Sequence, residues 1–206
     1  IPVVTGLERS GPTADDLKAF GAAFATTSAA PMFHIVGVTP EAPTLVAATG
    51  GAERPSVRVT RADLAADWRH FNPTLGEPVQ LVALGNPHFS ADECRALARL
   101  LVGRRKREGV ATTVTLSRAT HARITTDGTA ERLEAFGVSF VRDACWCTVL
   151  SPIVPLRAET ILTNSGKYAH YGPGLSGKAV RFASLADCAE AAVTGRAPAA
   201  PPAWLI

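Results

Sequence analysis

The sequence predicts an α/β protein in which parallel-sheet layers are covered by helices on both faces. Strand-like and helix-like segments alternate along most of the 206 residues, which is typical of parallel strands joined by helices. Residues 79–84 form a continuous apolar run, as expected for a parallel strand buried on both faces. Ser90 and Glu93 then form a capping box that starts a helix directly after this strand.

The first third of the chain has a weaker version of this alternation. A helix is expected over residues 13–27, with Asp15 and Asp16 near its positive end. Strands are expected at 2–6, at 32–38, which is rich in β-branched and aromatic residues, and over the short stretch 56–59. The connection at 39–60 is the weakest joint, and we interpret it as a boundary between two βα layers.

The remaining elements follow from hydrophobic periodicity between turn residues. Helices are predicted at residues 61–70, 90–103, 130–136 and 185–193. Strands are predicted at residues 112–116, 138–141, 160–162 and 179–182.

Composition excludes several classes of protein. Hydrophobic residues make up 47% and charged residues 19%, which are values of a folded domain rather than a disordered chain. The net charge of +3 lacks the dense basic stripe of a nucleic-acid-binding protein, and we interpret the basic run 104–107 as a solvated helix end. No apolar run is long enough to span a membrane, so we expect a cytoplasmic protein without membrane or nucleic-acid partners. The start at Ile1, without methionine, indicates a processed product or a piece of a larger polypeptide.

The segment 163–174 is the most informative stretch of the chain. It contains both tyrosines of the protein, together with Asn164, Ser165, Lys167 and His170, interrupted by three glycines. Glycine lets backbone N–H groups approach a ligand closely, and the side chains add donors suited to an anion. Because the segment follows a predicted strand, we expect a ligand-binding loop; the alternative is a glycine-rich surface turn.

The four cysteines divide into two kinds. Cys94 and Cys188 lie inside predicted helices, and we expect both to be small core residues. Cys145 and Cys147 flank Trp146 after a predicted strand, where two thiols two residues apart would point the same way. By itself this pair is a weak metal signal.

Polar clusters follow four of the predicted strands. They lie at residues 85–90, 117–121, 143–147 and 163–174. The carboxyl ends of parallel strands share one edge of a sheet, and ligands bind in the crevice at that edge. We therefore expect one site there, although His88 and Ser90 also have purely structural interpretations, as a strand-end hydrogen-bond partner and a helix cap, and Arg118 could be a surface charge.

On these residues the chain resembles the aconitase X family. The matching segments run in family order at residues 2–7, 33–42, 85–90 with Glu93, 143–145, 151–153, 163–171 and 180–185. They correspond to the C-terminal α/β portion of the family's large catalytic part. The resemblance implies an aconitase-like fold for residues 1–206 and, as partners, the N-terminal half of the large part and a small swivelling part, in a heteromer or a longer chain.

The resemblance also implies a function. Bacterial members of the family are similar to cis-3-hydroxy-L-proline dehydratases, and archaeal members dehydrate phosphomevalonate. An iron or iron–sulfur Lewis acid would polarise the leaving hydroxyl, with Cys145 or Cys147 as ligand. Ser165, Lys167, Tyr168, Asn164 and the loop amides would bind the carboxylate of a small hydroxy acid. The family's serine base lies on the small part, so no catalytic base is assigned here, with His88 and His170 as candidates.

Asn86 departs from one pattern of the family. Some members have cysteine at this position, and an amide is not a soft ligand like a thiolate. Asn86 would therefore lie near the metal, which would be a two-iron cluster (2Fe–2S) or a single iron, and this favours the hydroxyproline branch. Phosphomevalonate dehydration and an inactive structural or regulatory subunit remain alternatives. A nucleotide-binding module would need a glycine-rich phosphate motif between a strand and a helix, which the chain lacks.

Overall fold

The computed structural model describes residues 1–28 and 30–206. They divide into two compact units, Ile1–Thr60 and Arg61–Ile206. No helix within the described ranges is long and apolar enough to cross a membrane.

The first unit contains a small parallel pair of strands and two helices. Strand β1 (Val3–Val4) pairs with β2 (His34–Ile35), and helices α1 (Ala14–Thr27) and α2 (Leu45–Thr49) complete it. The helix predicted over residues 13–27 is present as α1, and Thr13 and Asp16 form a capping box at its start. The predicted strand at 56–59 is wrong: these residues form no strand, because the chain there lies exposed without a neighbouring strand.

The second unit contains the remaining elements. Its helices are α3 (Arg61–Phe71), α4 (Ala91–Leu100), α5 (Arg118–Thr126), α6 (Thr129–Phe136), α7 (Gly166–Ser176) and α8 (Leu185–Thr194). Its strands are β3 (Leu81–Phe89), β4 (Ala111–Leu116), β5 (Val138–Arg142), β6 (Thr160–Thr163) and β7 (Ala179–Phe182).

The five strands form one parallel sheet with the order β5-β4-β3-β6-β7. The chain runs outward from the central strand β3 through β4 to β5, and it then returns to the other side of β3 to build β6 and β7. The direction of winding therefore reverses between β3 and β6. In open parallel sheets the crevice beyond the carboxyl ends of such a pair is the usual ligand site.

Two apolar layers cover the sheet. Val82 and Leu84 of β3 pack into the layer formed with α4, α6 and α8. Leu81 and Ala83 point to the opposite face, where they pack with Trp146 and Tyr168. Side chains alternate across a strand, so a strand covered on both faces must be apolar at every position. The predicted α/β fold with helices on both faces is confirmed.

The clearest correction concerns the segment predicted as a loop at 163–174. It forms helix α7 from Gly166 onward, capped by Ser165. Glycine and aromatic residues have low helix propensity, but Tyr168, Ala169 and Gly172 are buried on the inner side of this helix. A Cβ at Gly172 would lie 2.8 Å from Val180 Cγ2, so glycine permits the close packing of α7 on β7. Tertiary packing has overridden local propensity.

A second correction concerns Arg118, Thr120 and His121. They were expected in a polar loop but lie in α5, which Ser117 caps by accepting a hydrogen bond from the Thr120 backbone N–H at 3.0 Å. The helix is short and mostly exposed, with Ile124 as its buried residue. Its apolar pattern is consequently too sparse to be read from the sequence.

Candidate functional site

The winding reversal brings the ends of β3 and β6 together. Register between β3 and β4 is interrupted between Leu84 and Phe89, and this bulge contains Gly85 and Asn86. Gly85 has φ of +92°, and a Cβ there would lie 2.1 Å from the Thr115 carbonyl oxygen. Only glycine fits, and its own carbonyl accepts a hydrogen bond from Thr115 Oγ1 at 2.5 Å.

Ser165 connects the two strand ends. Its hydroxyl donates a hydrogen bond to the backbone carbonyl of Asn86 and accepts one from the Tyr168 N–H at 3.0 Å. The same side chain therefore caps α7 and holds the β3 bulge. Ser165 is buried, with 6% of its surface exposed. This placement gives Ser165 a clear structural role beside the substrate-binding role predicted for it.

The segment after β5 folds over the same edge. Trp146 Nε1 donates to the Leu84 carbonyl at 2.7 Å, and His88 Nε2 lies 2.8 Å from the Ala144 carbonyl oxygen. Cys145 precedes a single 3₁₀ turn at Trp146–Thr148. Both cysteines follow strand β5, as predicted, but Cys147 lies in the 3₁₀ turn rather than in extended chain. The turn keeps the pair together, with the Cys147 N–H 3.5 Å from Cys145 Sγ.

Five side chains form what we call the switch-point cluster. They are Asn86, Cys145, Cys147, Ser165 and Lys167. Cys145 Sγ lies 3.9 Å from Asn86 Oδ1, within the range of a weak thiol hydrogen bond. Burial raises the pKa of the Cys147 thiol and the adjacent Cys145 raises it further, whereas the Lys167 ammonium and the Asn86 amide act in the opposite direction. Lys167, predicted to bind the carboxylate, and Cys147, predicted to bind the metal, thus interact electrostatically.

Tyr168 belongs to the wall of this cluster. It is 1% exposed, and its ring lies against Trp146 with 5.4 Å between ring centroids. Burial, with a smaller effect of Cys147, raises the pKa of Tyr168 to about 12. The phenol is therefore neutral near pH 7. Because the Tyr168 ring packs against Trp146, only its hydroxyl group is left for the predicted contact with the substrate.

The two candidate histidines differ in position. His88 lies on the β3 bulge and is held to Ala144 beside the cysteines. His170 lies on the exposed side of α7, where its ring packs edge-on against Tyr171. Asn164 is half-buried at the end of β6, immediately before the Ser165 cap.

An ion pair lies at the neighbouring strand ends. Arg118 donates to Asp143 twice, from the backbone N–H at 2.9 Å and from Nε at 2.5 Å. These contacts hold the pKa of Asp143 below its usual range. With Arg142 the pair lines an open cavity of about 410 Å³. The sequence indicated Arg118 as a candidate residue but did not show that it pairs with Asp143, because the two residues are 25 positions apart in the chain.

The described residues contain no group of three or more His, Cys, Asp or Glu side chains that could hold a metal ion. Cys145 and Cys147 supply two soft donors, which suit iron or an iron–sulfur cluster rather than a hard cation. Asn86 Nδ2 beside them is buried and has no hydrogen-bond partner among the described residues. The residues fit a partial ligand set with a polar neighbour, and such a set needs further ligands from elsewhere.

Fold and site together define a doubly wound α/β domain with a mixed thiol, amide and ammonium cluster at its winding reversal. Residues 79–194 match the aconitase X third domain, and residues 1–69 match the aconitase X second domain. The chain belongs to the aconitase X family, as its resemblance to that family predicted.

Relatives of known name support this membership. The chain is 52% identical over 206 residues to a cis-3-hydroxy-L-proline dehydratase of Pseudomonas aeruginosa, covering all of this chain and 36% of that protein. It is 34% identical over 166 residues to a phosphomevalonate dehydratase large subunit of Methanothermobacter thermautotrophicus, covering 81% of this chain and 40% of the relative. The chain thus spans well under half the length of these relatives.

A solved structure has the same fold. The crystal structure of Thermococcus kodakaraensis aconitase X in its holo-form superposes with a TM-score of 0.78 at 26% identity, covering 93% of this chain and 47% of that one. The aconitase-like fold predicted from the sequence is confirmed.

Proposed function

We propose that this chain is the C-terminal α/β portion of an aconitase X hydro-lyase that dehydrates cis-3-hydroxy-L-proline. The observation that carries the proposal is the 52% identity to a protein of that name over the full 206 residues. A second relative of the same name, from Hypocrea jecorina, is 51% identical over 197 residues. The phosphomevalonate relatives are more distant, at 34% identity or less.

The site chemistry supports a metal-assisted elimination. Hydroxide is a poor leaving group, and iron bound by Cys145 and Cys147 would supply the Lewis acid that polarises the hydroxyl. The cluster would be 2Fe–2S or a single iron, with its remaining ligands from outside this chain. Asn86 lies beside both sulfur atoms and would be a polar neighbour of the metal.

Lys167 would bind the substrate carboxylate. Its ammonium acts on the Cys147 thiol, so a carboxylate paired with it would lie beside the metal. Lys167 is in the first turn of α7, where N–H groups and the helix dipole favour an anion. Asn164, the Tyr168 hydroxyl and Ser165 would border this position, with Ser165 acting mainly by holding the Asn86 carbonyl.

The proton must leave the carbon beside the carboxylate. Lys167 would stabilise the charge that develops there, because an ammonium at the carboxylate lowers the energy of the adjacent carbanion-like carbon. Hydroxide leaves from the neighbouring carbon, and the enamine product tautomerises to a cyclic imine acid. The base that takes the proton would come from outside this chain. Within the chain, His88 and His170 are the alternative candidates for this base.

The charge at the strand ends favours the hydroxyproline substrate over a phosphorylated one. A phosphate group calls for more cationic contacts than a carboxylate. Arg118 is already paired with Asp143, which partly offsets its charge. Phosphomevalonate dehydration remains the alternative, and cationic residues elsewhere in the full-length protein would then have to complete the site. An inactive structural or regulatory subunit is a second alternative, and the intact pair of thiols beside Lys167 argues against it.

We infer that the N-terminal half of the large part and the small swivelling part complete the enzyme, in one chain or in several. We expect the complete enzyme in the cytoplasm, where thiols persist, since Cys94, Cys145, Cys147 and Cys188 form no disulfide among the described residues.

The test is an anaerobic iron and sulfide determination on the full-length protein, followed by dehydration assays with cis-3-hydroxy-L-proline and phosphomevalonate. Iron together with turnover of the hydroxyproline is the expected result. Turnover of phosphomevalonate alone would support the alternative enzyme. Absence of both iron and turnover in anaerobically purified protein would favour the inactive subunit.

A further inference from the structure

The side chain of Asn86 has an unusual environment. Asn86 is 4% exposed, and its Nδ2 atom has no hydrogen-bond partner among the described residues. Burying an amide N–H without a partner is unfavourable, so such groups are uncommon in folded proteins. An unpaired donor at this position therefore indicates an acceptor that forms only when the site is occupied.

The two cysteines flank this carboxamide. Cys145 Sγ lies 3.9 Å from Oδ1, where a thiol can donate its proton to the amide oxygen. The Asn86 side chain also interacts with the Cys147 thiol. The carboxamide thus lies beside the turn that carries both cysteines, with its oxygen toward Cys145.

Asn86 is held in this position by its backbone. Its carbonyl accepts the Ser165 hydroxyl, and Gly85 before it is locked against Thr115. The residue is buried in this position, so its carboxamide is shielded from solvent. A protonated thiol is a weak acceptor, whereas a metal-bound thiolate is a charged acceptor for which an N–H donor is well suited.

We propose that Asn86 is a positioning residue that donates an N–H···S hydrogen bond from Nδ2 to the Cys147 thiolate when iron is bound. This inference rests on the proposed function, because it requires the cysteines to hold the metal. Hydrogen bonds to ligand sulfur stabilise the thiolate and tune the metal, and loss of such a partner typically costs about 10- to 100-fold in metal affinity. Some family members have a cysteine at this position. Asn86 would instead support the Cys147 ligand through a hydrogen bond and would not coordinate iron itself.

The decisive variant is Asn86→Asp in the full-length protein. The aspartate side chain keeps the shape of asparagine and an oxygen that could coordinate a metal, but it lacks the N–H group. We expect Asn86→Asp and Asn86→Ala to lose iron affinity to a similar degree, by about tenfold or more, in anaerobic competition with a chelator. The sulfur-to-iron absorption band should move to longer wavelength in both, because the sulfur loses a hydrogen bond. Wild-type or tighter binding in Asn86→Asp, with loss only in Asn86→Ala, would show that the oxygen is a ligand and would overturn the proposal.

A matched control separates this role from general instability. Asn72 is also a buried asparagine, and its Nδ2 donates to the Trp68 carbonyl at 2.9 Å. Asn72→Asp should keep wild-type iron affinity, and an equal loss there would overturn the inference.

The iron content of the wild-type protein separates the two proposals. Wild-type protein without iron would refute the proposed iron chemistry, and the role of Asn86 with it. Iron in the wild type with no change in Asn86→Asp would refute the Asn86 role alone.

Discussion

The hydroxyl of Ser165, at the start of α7, donates to the backbone carbonyl of Asn86, on the bulge of β3. The two residues are 79 positions apart, and this contact joins the two strands between which the winding of the sheet reverses. Lys167 follows Ser165 in the first turn of α7, and Cys145 lies against the Asn86 side chain. The relative position of the predicted carboxylate and metal subsites therefore depends on this hydrogen bond.

We predict that Ser165→Ala destabilises the protein by about 2 kcal/mol. The change removes a helix cap and leaves the buried Asn86 carbonyl without its donor. Ser184→Ala is the control, because Ser184 caps α8 with hydrogen bonds only inside its own first turn. That variant should lose about 1 kcal/mol, as an ordinary cap does. Denaturant unfolding measures both, and equal losses would argue against a bridging role of Ser165.

We predict that Cys145→Ser and Cys147→Ser each lower the iron content of anaerobically purified protein by at least half. A hydroxyl is a much poorer ligand for soft metals than a thiolate. Cys188→Ala is the control, because Cys188 is fully buried in the apolar layer around α8. It should lose stability but keep its iron. If one of the two serine variants retains full iron, that cysteine is not a ligand.

We predict that Lys167→Ala raises the KM for the substrate about tenfold or more while the iron content stays unchanged. A charge-assisted hydrogen bond to a carboxylate contributes about 1.5–3 kcal/mol. Lys178 follows the same helix at its opposite end and donates to the Leu156 carbonyl at 3.0 Å. Lys178→Ala should therefore have a normal KM. An unaltered KM in Lys167→Ala would remove the carboxylate role from this residue.

We predict that Asp127→Asn destabilises the protein near neutral pH but not in strong acid. Hydrogen bonds from Thr129 and Arg95 hold the pKa of Asp127 down at about 2. The stabilisation is complete above the unfolded-state pKa of about 4, and it disappears as the pH falls through about 2. The two unfolding curves should therefore converge between these pH values. Asp92, whose side chain is 83% exposed, supplies the control Asp92→Asn, for which we expect little change. A constant difference at every pH would contradict the mechanism.

The sequence predicted much of the sheet because parallel strands have a strong local signal. The β3 strand is apolar at every position from Leu81 to Leu84, since both of its faces are covered. Helix α4 starts at the capping box of Ser90 and Glu93 that the sequence predicted. In contrast, α7 has no such pattern, because its helical form depends on packing against β7.

The amino-acid sequence by itself determined the kind of protein: an α/β chain of the aconitase X family with polar side chains after its parallel strands. These features follow from the local hydrophobic pattern and from motifs, and both can be recognised in the sequence without knowledge of the fold. The tertiary structure alone decided that the Asn86 side chain contacts Cys145 and that Ser165 holds the Asn86 backbone. Those contacts join residues 59 and 79 positions apart, and only the reversal of winding in the folded sheet brings them together.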